Sequence, residues 1–192
     1  MRIPQWKEQL SQLPSIACVA FATRCARRVQ PLFLVSWPEA PQRLYQLLDG
    51  AIETVEEFTR GVDRTTSTFA FNAMSAVKAA AHANAPQAAV VASTVACATY
   101  ALAAVGFGDF SATHAAQGAD YAVQVFQFEP GKLTTEGLGM CVDAMKLDLV
   151  RIEEGLKQGT VDTRKALPPG FLGPLWPHGE PPYVVQIPTL AT

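Results

Sequence analysis

Between Lys78 and Asp109 the sequence contains no Asp, Glu, Lys or Arg. Charge is scarce elsewhere too, at 17% of the 192 residues, with 15 basic against 17 acidic side chains and a net charge of −2. A chain with no basic excess lacks the electrostatic footprint of a nucleic-acid or anionic-membrane partner, so neither is expected. Cysteine is limited to Cys18, Cys25, Cys97 and Cys141, with no CxxC pair. Cys18 and Cys25 stand two helical turns apart, about 10 Å by helix rise, too far to bridge. They read as buried free thiols of a reducing compartment. The N-terminus makes a poor signal peptide, because Glu8 interrupts its basic region and the apolar run from Ile16 to Ala22 meets Arg24, Arg27 and Arg28. A cytoplasmic location is the expectation.

Catalytic and metal-binding motifs are missing as well. There is no GxSxG elbow, HExxH pair, Walker-type glycine loop or EF-hand loop. The turn Gly106-Phe-Gly-Asp109 follows a helical segment rather than a strand, which removes it as a phosphate cradle. His82, His114 and His178 occupy three segments without a metal-ligand spacing. The sequence therefore predicts no catalytic residue, metal or cofactor. The one enzymatic alternative is His114 acting with Asp109 or Asp120, with Tyr121 two turns along the same face.

What the chain has in excess is alanine: 30 residues, 21 of them between Ala70 and Ala122. Alanine is the strongest helix former and is depleted from strands, so an all-α fold follows. Proline agrees, since only Pro86 interrupts positions 42–129 whereas seven of 14 prolines fall between Pro168 and Pro188. About six helices are predicted, packed as antiparallel hairpins in a bundle or short stacked array. Residues 1–158 form the helical domain, and 159–192 a proline-rich tail packed on it.

A short segment from Gln5 to Leu13 stops at Pro14. Ser15 is expected to cap the next helix, whose Cys18, Ala22, Cys25, Val29 and Leu32 make one buried stripe before Pro31 kinks or ends it. Leu44, Leu48, Ile52 and Val55 mark a helix closed by Gly61. Residues 65–84 and 87–105 then pair around Pro86. The charge-free stretch is long enough for a membrane span, but its polar residues and alanine-rich composition favour a buried hairpin arm. A helix from Asp109 or Ser111 to Phe126 puts His114, Gly118, Tyr121 and Val125 on one face, the glycine suggesting a tight crossing. Thr135 to Lys157 shows Leu138, Val142, Met145, Leu149, Ile152 and Leu156 at four-three spacing, with Asp143, Lys146, Arg151, Glu153 and Glu154 off the stripe. The tail holds Phe171, Leu172, Leu175, Trp176 and Tyr183 too densely for a free linker. It is expected to strap across the helices with Trp176 in a groove.

The polar residues that stand out are two clusters. Arg28 and Arg24 flank the buried stripe and are expected to hydrogen-bond acids on the next helix, Asp49 or Glu53, while Arg27 points away. Glu53, Glu56 and Glu57 form an acidic row, a solvated face that could also meet a basic partner.

Read in order, Arg24-Cys-Ala-Arg-Arg-Val-Gln-Pro-Leu-Phe33, Trp37-Pro38, Ala51-Ile-Glu53, Arg60-Gly61 and Ser111-Ala-Thr-His-Ala-Ala-Gln-Gly-Ala-Asp-Tyr-Ala122 resemble the all-α immunity proteins of bacterial polymorphic-toxin systems. The resemblance covers about residues 16–126. Gly170-Phe-Leu-Gly-Pro-Leu-Trp-Pro177 resembles the tails of uncharacterised helical bacterial proteins. The immunity-protein resemblance implies a non-catalytic inhibitor that binds a cognate protein toxin. Arg24, Arg28, Pro31, Glu53, His114, Gly118 and Tyr121 match recurring positions of that family, and Arg24, Arg28, Glu53, Glu56, Glu57, His114 and Tyr121 are the candidate partner-binding residues. A helical scaffold or adaptor working through a concave face or its Trp176 tail is the alternative.

Overall fold

Prolines and left-handed residues set the helix boundaries. The computed structural model describes residues 5–62, 67–107, 109–128, 135–161 and 166–185, and these contain helices and connections without a strand. In chain order they are α1 (Trp6–Leu10), α2 (Ser15–Val29), α3 (Leu32–Ser36), α4 (Gln42–Thr59), α5 (Ser67–His82), α6 (Pro86–Ala103), α7 (Phe110–Gln124), α8 (Thr135–Lys157) and α9 (Pro182–Val185). A 3₁₀ turn, Val125–Gln127, extends α7. The six long helices are those expected, and α8 has the predicted bounds. Thr65, Gly108, 162–165 and 186–192, which also figured in the reading, lie outside the described residues.

Pro14, with φ −60° and ψ 147°, is the N-cap of α2, and its carbonyl accepts from the Ala17 and Cys18 N–H groups. Ser15 is therefore already helical and makes no cap bond, contrary to expectation. Pro31 ends α2, but it stays in the right-handed helical region, so the chain enters α3 directly. That short helix was not anticipated. Gly61, at φ +87°, closes α4: its N–H donates to Phe58, and the Val62 N–H donates to Glu57. This is a Schellman cap. Asn84, at φ +53°, repeats the device at the end of α5, with Asn84 donating to Ala81 and Ala85 to Ala80. Pro86 then opens α6 at a position where its missing N–H carries no penalty.

Helix α2 is the central element. It packs against α4, α6, α7 and α8, and α6 lies between α5 and α7. Eleven of its 15 residues are buried, so it has no single buried stripe. Trp6 of α1 meets Phe21 at 5.9 Å between ring centroids, and the Cys18 thiol donates to the Leu10 carbonyl at 3.3 Å. Helix α6 is long and apolar enough to cross a membrane, and 67% of it is buried inside the fold. Its small residues permit the close approach. A Cβ on Gly118 of α7 would lie 3.2 Å from the Cys97 Cβ and 3.8 Å from the Thr94 carbonyl oxygen, which is the tight crossing the sequence suggested.

The described part of the tail joins the same core. Leu167, Leu172, Trp176 and Tyr183 are all buried, and Trp176 meets Tyr183 edge-on. The Leu167 N–H donates to the Thr59 carbonyl, one of those left open at the end of α4. The strap is thus part of the fold.

All four cysteines are free and buried. Burial pushes the thiols of Cys18, Cys97 and Cys141 up to about 12 and raises Cys25 as well. Because the thiolate is the reactive form, the folded chain at pH 8 should leave a thiol-specific disulfide reagent unconsumed, and denaturant should release four equivalents. Rapid labelling of the native protein would contradict the burial. Gly118→Leu should lower the unfolding free energy by about 1–3 kcal/mol through overpacking. A urea midpoint equal to wild type would show that α6 and α7 do not cross closely there.

Candidate functional site

The extended strap creates a problem that the helices do not have. Residues 172–175, Leu-Gly-Pro-Leu, lie in neither helix nor strand, so their carbonyls need partners from elsewhere. Three arginines supply them. Arg24 donates from Nη1 to the Gly173 carbonyl at 3.1 Å and from Nη2 to that of Pro174 at 2.6 Å. Arg28 donates from Nε to Leu175 at 3.1 Å, and Arg151 of α8 donates to Leu172. Gly173 sits at φ +64°, where a Cβ would lie 2.7 Å from Arg151 Nη1. Only glycine passes under that guanidinium without displacing it.

The counter-charge for this clamp is Asp148 of α8, whose side chain is fully buried, as is that of Arg28. Asp148 Oδ2 accepts from Arg24 Nε at 3.0 Å and lies 2.7 Å from Arg28 Nη2. Arg28 also sits 5.8 Å from the Trp176 ring centroid, close enough for a cation–π contact. Burial draws the Arg24 guanidinium below its ordinary value, and Asp148 opposes that shift. Asp148 Oδ1 and Arg28 Nη1 are buried without hydrogen-bond partners among the described residues.

This corrects the expected pairing. Arg24 and Arg28 do not reach the next helix; Arg27 does. Arg27 donates to both Glu56 oxygens at 3.0 Å and to Asp49 Oδ1 at 2.6 Å, while Gln30 donates to Asp49 at 2.9 Å. Burial lowers the Arg27 guanidinium, but Glu56 and Asp49 outweigh it and leave it raised. The reason is the surroundings of α2. Helices pack on several sides, so Arg27 points into the α4 contact rather than into solvent.

The other candidates are dispersed. On α4, Glu53 is exposed, Glu56 is held by Arg27, and Glu57 is half-buried. On α7, His114 stacks against Tyr100 of α6 at 5.5 Å between centroids, and Tyr121 is 37% exposed. No hydrogen bond joins His114 to Asp109 or Asp120 among the described residues, and His114 Nδ1 is buried without a partner. Asp120 instead lines an open groove with Trp6, Lys7 and Ser11 of the N-terminal segment, where partial burial raises its carboxyl. No group of three or more His, Cys, Asp or Glu among the described residues is arranged to hold a metal. Under the strap, a groove of about 330 Å³ runs between Thr23, Arg24, Thr59, Arg60 and Pro168–Gly173.

Asp148 escaped the sequence reading although a signal was present. It stands three residues after Met145 and four before Ile152, so it falls on the apolar stripe of α8. A carboxylate there requires a buried cation.

Asp148→Ala should cost about 3–5 kcal/mol, because it leaves Arg28 buried without its counter-charge. Arg28→Met combined with Asp148→Leu should recover most of that loss. Chemical denaturation of wild type and the two variants measures both effects, and a single mutant within about 1 kcal/mol of wild type would show that the pair is solvated. Comparison with protein-family models, with curated proteins and with solved structures finds no match for this chain.

Proposed function

We propose that this protein is a non-catalytic immunity protein that binds and neutralises a cognate bacterial toxin, docking through the outer face of α4. The observation that carries the reading is the state of that face. Glu53 is presented to solvent, while Glu56 is fixed by a two-point contact to Arg27, which in turn is fixed to Asp49. A carboxylate held by a partly buried network loses less side-chain freedom on binding than a free one, which favours affinity. An acidic face also steers a basic partner and speeds docking. Toxins that act on nucleic acids carry basic clefts of that kind, and the motif order from Arg24 to Ala122 supports the family.

Arg24 and Arg28 take a structural part in this account, since both are committed to Asp148 and to the strap. The adaptor alternative loses its simplest form, because Trp176 is buried at 7% exposure and is not offered as a free ligand.

The purified protein should form a stable complex with the toxin encoded beside it and abolish its toxicity. Glu53→Lys should slow association by roughly tenfold at low salt, with a smaller effect at high salt, and leave the melting temperature unchanged. Stopped-flow or biosensor kinetics measure the first, and scanning fluorimetry the second. A neighbouring toxin that neither binds nor is neutralised contradicts the proposal.

A further inference from the structure

In the clamp, two guanidinium groups converge on a single oxygen of Asp148. Arg24 Nε reaches Oδ2 at 3.0 Å, and Arg28 Nη2 reaches the same atom at 2.7 Å. The second carboxylate oxygen, Oδ1, accepts from nothing among the described residues, and Arg28 Nη1 donates to nothing. An arginine and a carboxylate frequently meet in two parallel bonds, which would use both of these atoms. Here the pair is joined at one point, because Arg28 Nε is turned to the Leu175 carbonyl and Nη2 is shared with that of Ala144. Both orphaned atoms belong to side chains at 0% exposure, where a polar group left without a partner is costly.

Covalent structure places the two atoms together. Nη1 shares its carbon with Nη2, and Oδ1 shares its carbon with Oδ2, so both flank the same 2.7 Å contact between α2 and α8. One is a donor and the other an acceptor. A group that satisfies both must accept from Nη1 and donate to Oδ1. Charge narrows its chemistry: a cation at Oδ1 meets the guanidinium groups of Arg24 and Arg28, and an anion at Nη1 meets the carboxylate of Asp148. Burial narrows its size, since neither side chain opens to solvent. Water is neutral, small, and both donor and acceptor, and two polar partners are enough to hold it in a protein interior.

We propose that one buried water molecule bridges Arg28 Nη1 and Asp148 Oδ1, accepting from the guanidinium and donating to the carboxylate. It closes a hydrogen-bonded ring through Nη1, water, Oδ1, Oδ2 and Nη2, and so turns a one-point pair into a two-point tie between α2 and α8. The water is a component of the clamp, and its place there does not depend on the toxin-binding reading.

A crystal structure of the full-length protein, at a resolution that orders internal water, tests this. The expected result is a density peak within about 2.7–3.2 Å of both atoms, as well ordered as the side chains around it. In solution, magnetic relaxation dispersion of the water oxygen counts long-lived internal waters. Arg28→Met combined with Asp148→Leu removes both partners, and that variant should lose one such water relative to wild type. If the variant does not fold, the crystal structure of the wild type decides alone. The proposal is overturned by a crystal structure without that peak, by a direct second bond between Nη1 and Oδ1, or by a protein group bonded to either atom. A folded double variant with an unchanged water count overturns it as well.

Discussion

The buried ion pair between Arg28 and Asp148 is the constraint to which the rest of the structure answers. Neither charge has access to solvent, so each requires the other, and each helix that carries one is fixed against the helix that carries the other. Arg28 has donors beyond those Asp148 can satisfy. Its Nε donates to the Leu175 carbonyl of the strap and its Nη2 also to the Ala144 carbonyl, while the guanidinium faces the Trp176 ring. A proline-rich segment with few N–H groups has surplus acceptors, and α2 and α8 together present surplus donors. The strap and the clamp are two halves of one solution to backbone satisfaction.

A second constraint is geometric. Helix α2 packs against neighbours on several sides, and such an arrangement needs small residues at the crossings. Ala17, Ala20, Ala22 and Ala26 supply them on α2, and Gly118 does so where α7 meets α6. The alanine excess is therefore a packing device as much as a helix signal. Its by-product is an outer surface of α6 without charge, beside which α7 exposes Phe110, Tyr121 and Asp120. Charge is carried instead by α4, by the solvent side of α8 and by the clamp.

Much of this was legible in the sequence, for identifiable reasons. The α8 boundaries followed from an unbroken four-three stripe, the Gly61 closure from glycine chemistry, and the packed strap from large apolar residues too dense for a linker. Gly118 announced a crossing because glycine inside a helix otherwise weakens it. The partners of the arginines were not legible, since they depend on how helices distant in sequence cross: Arg24 and Asp148 are separated by 124 positions. Arg27 was assigned outward because one stripe was assumed for a helix that has several buried sides. The α3 turn was missed because the right-handed conformation of Pro31 decides whether the chain stops or continues there. Of the candidate site residues, Glu53 and Tyr121 stand at the surface as a binding role requires, whereas Arg24 and Arg28 are consumed by the fold.

The central claim is that strap and helices are a single cooperative unit held through Asp148. Native-state hydrogen exchange tests it directly at the amides of Leu167, Phe171 and Gly173, which donate to the carbonyls of Thr59, Pro168 and Gly170. If the clamp makes the strap part of the core, these amides exchange only through the same global opening that exposes the interior of α2. Exchange of the strap amides orders of magnitude faster than that of α2, with α2 still protected, would show a tail that comes and goes on a fold complete without it.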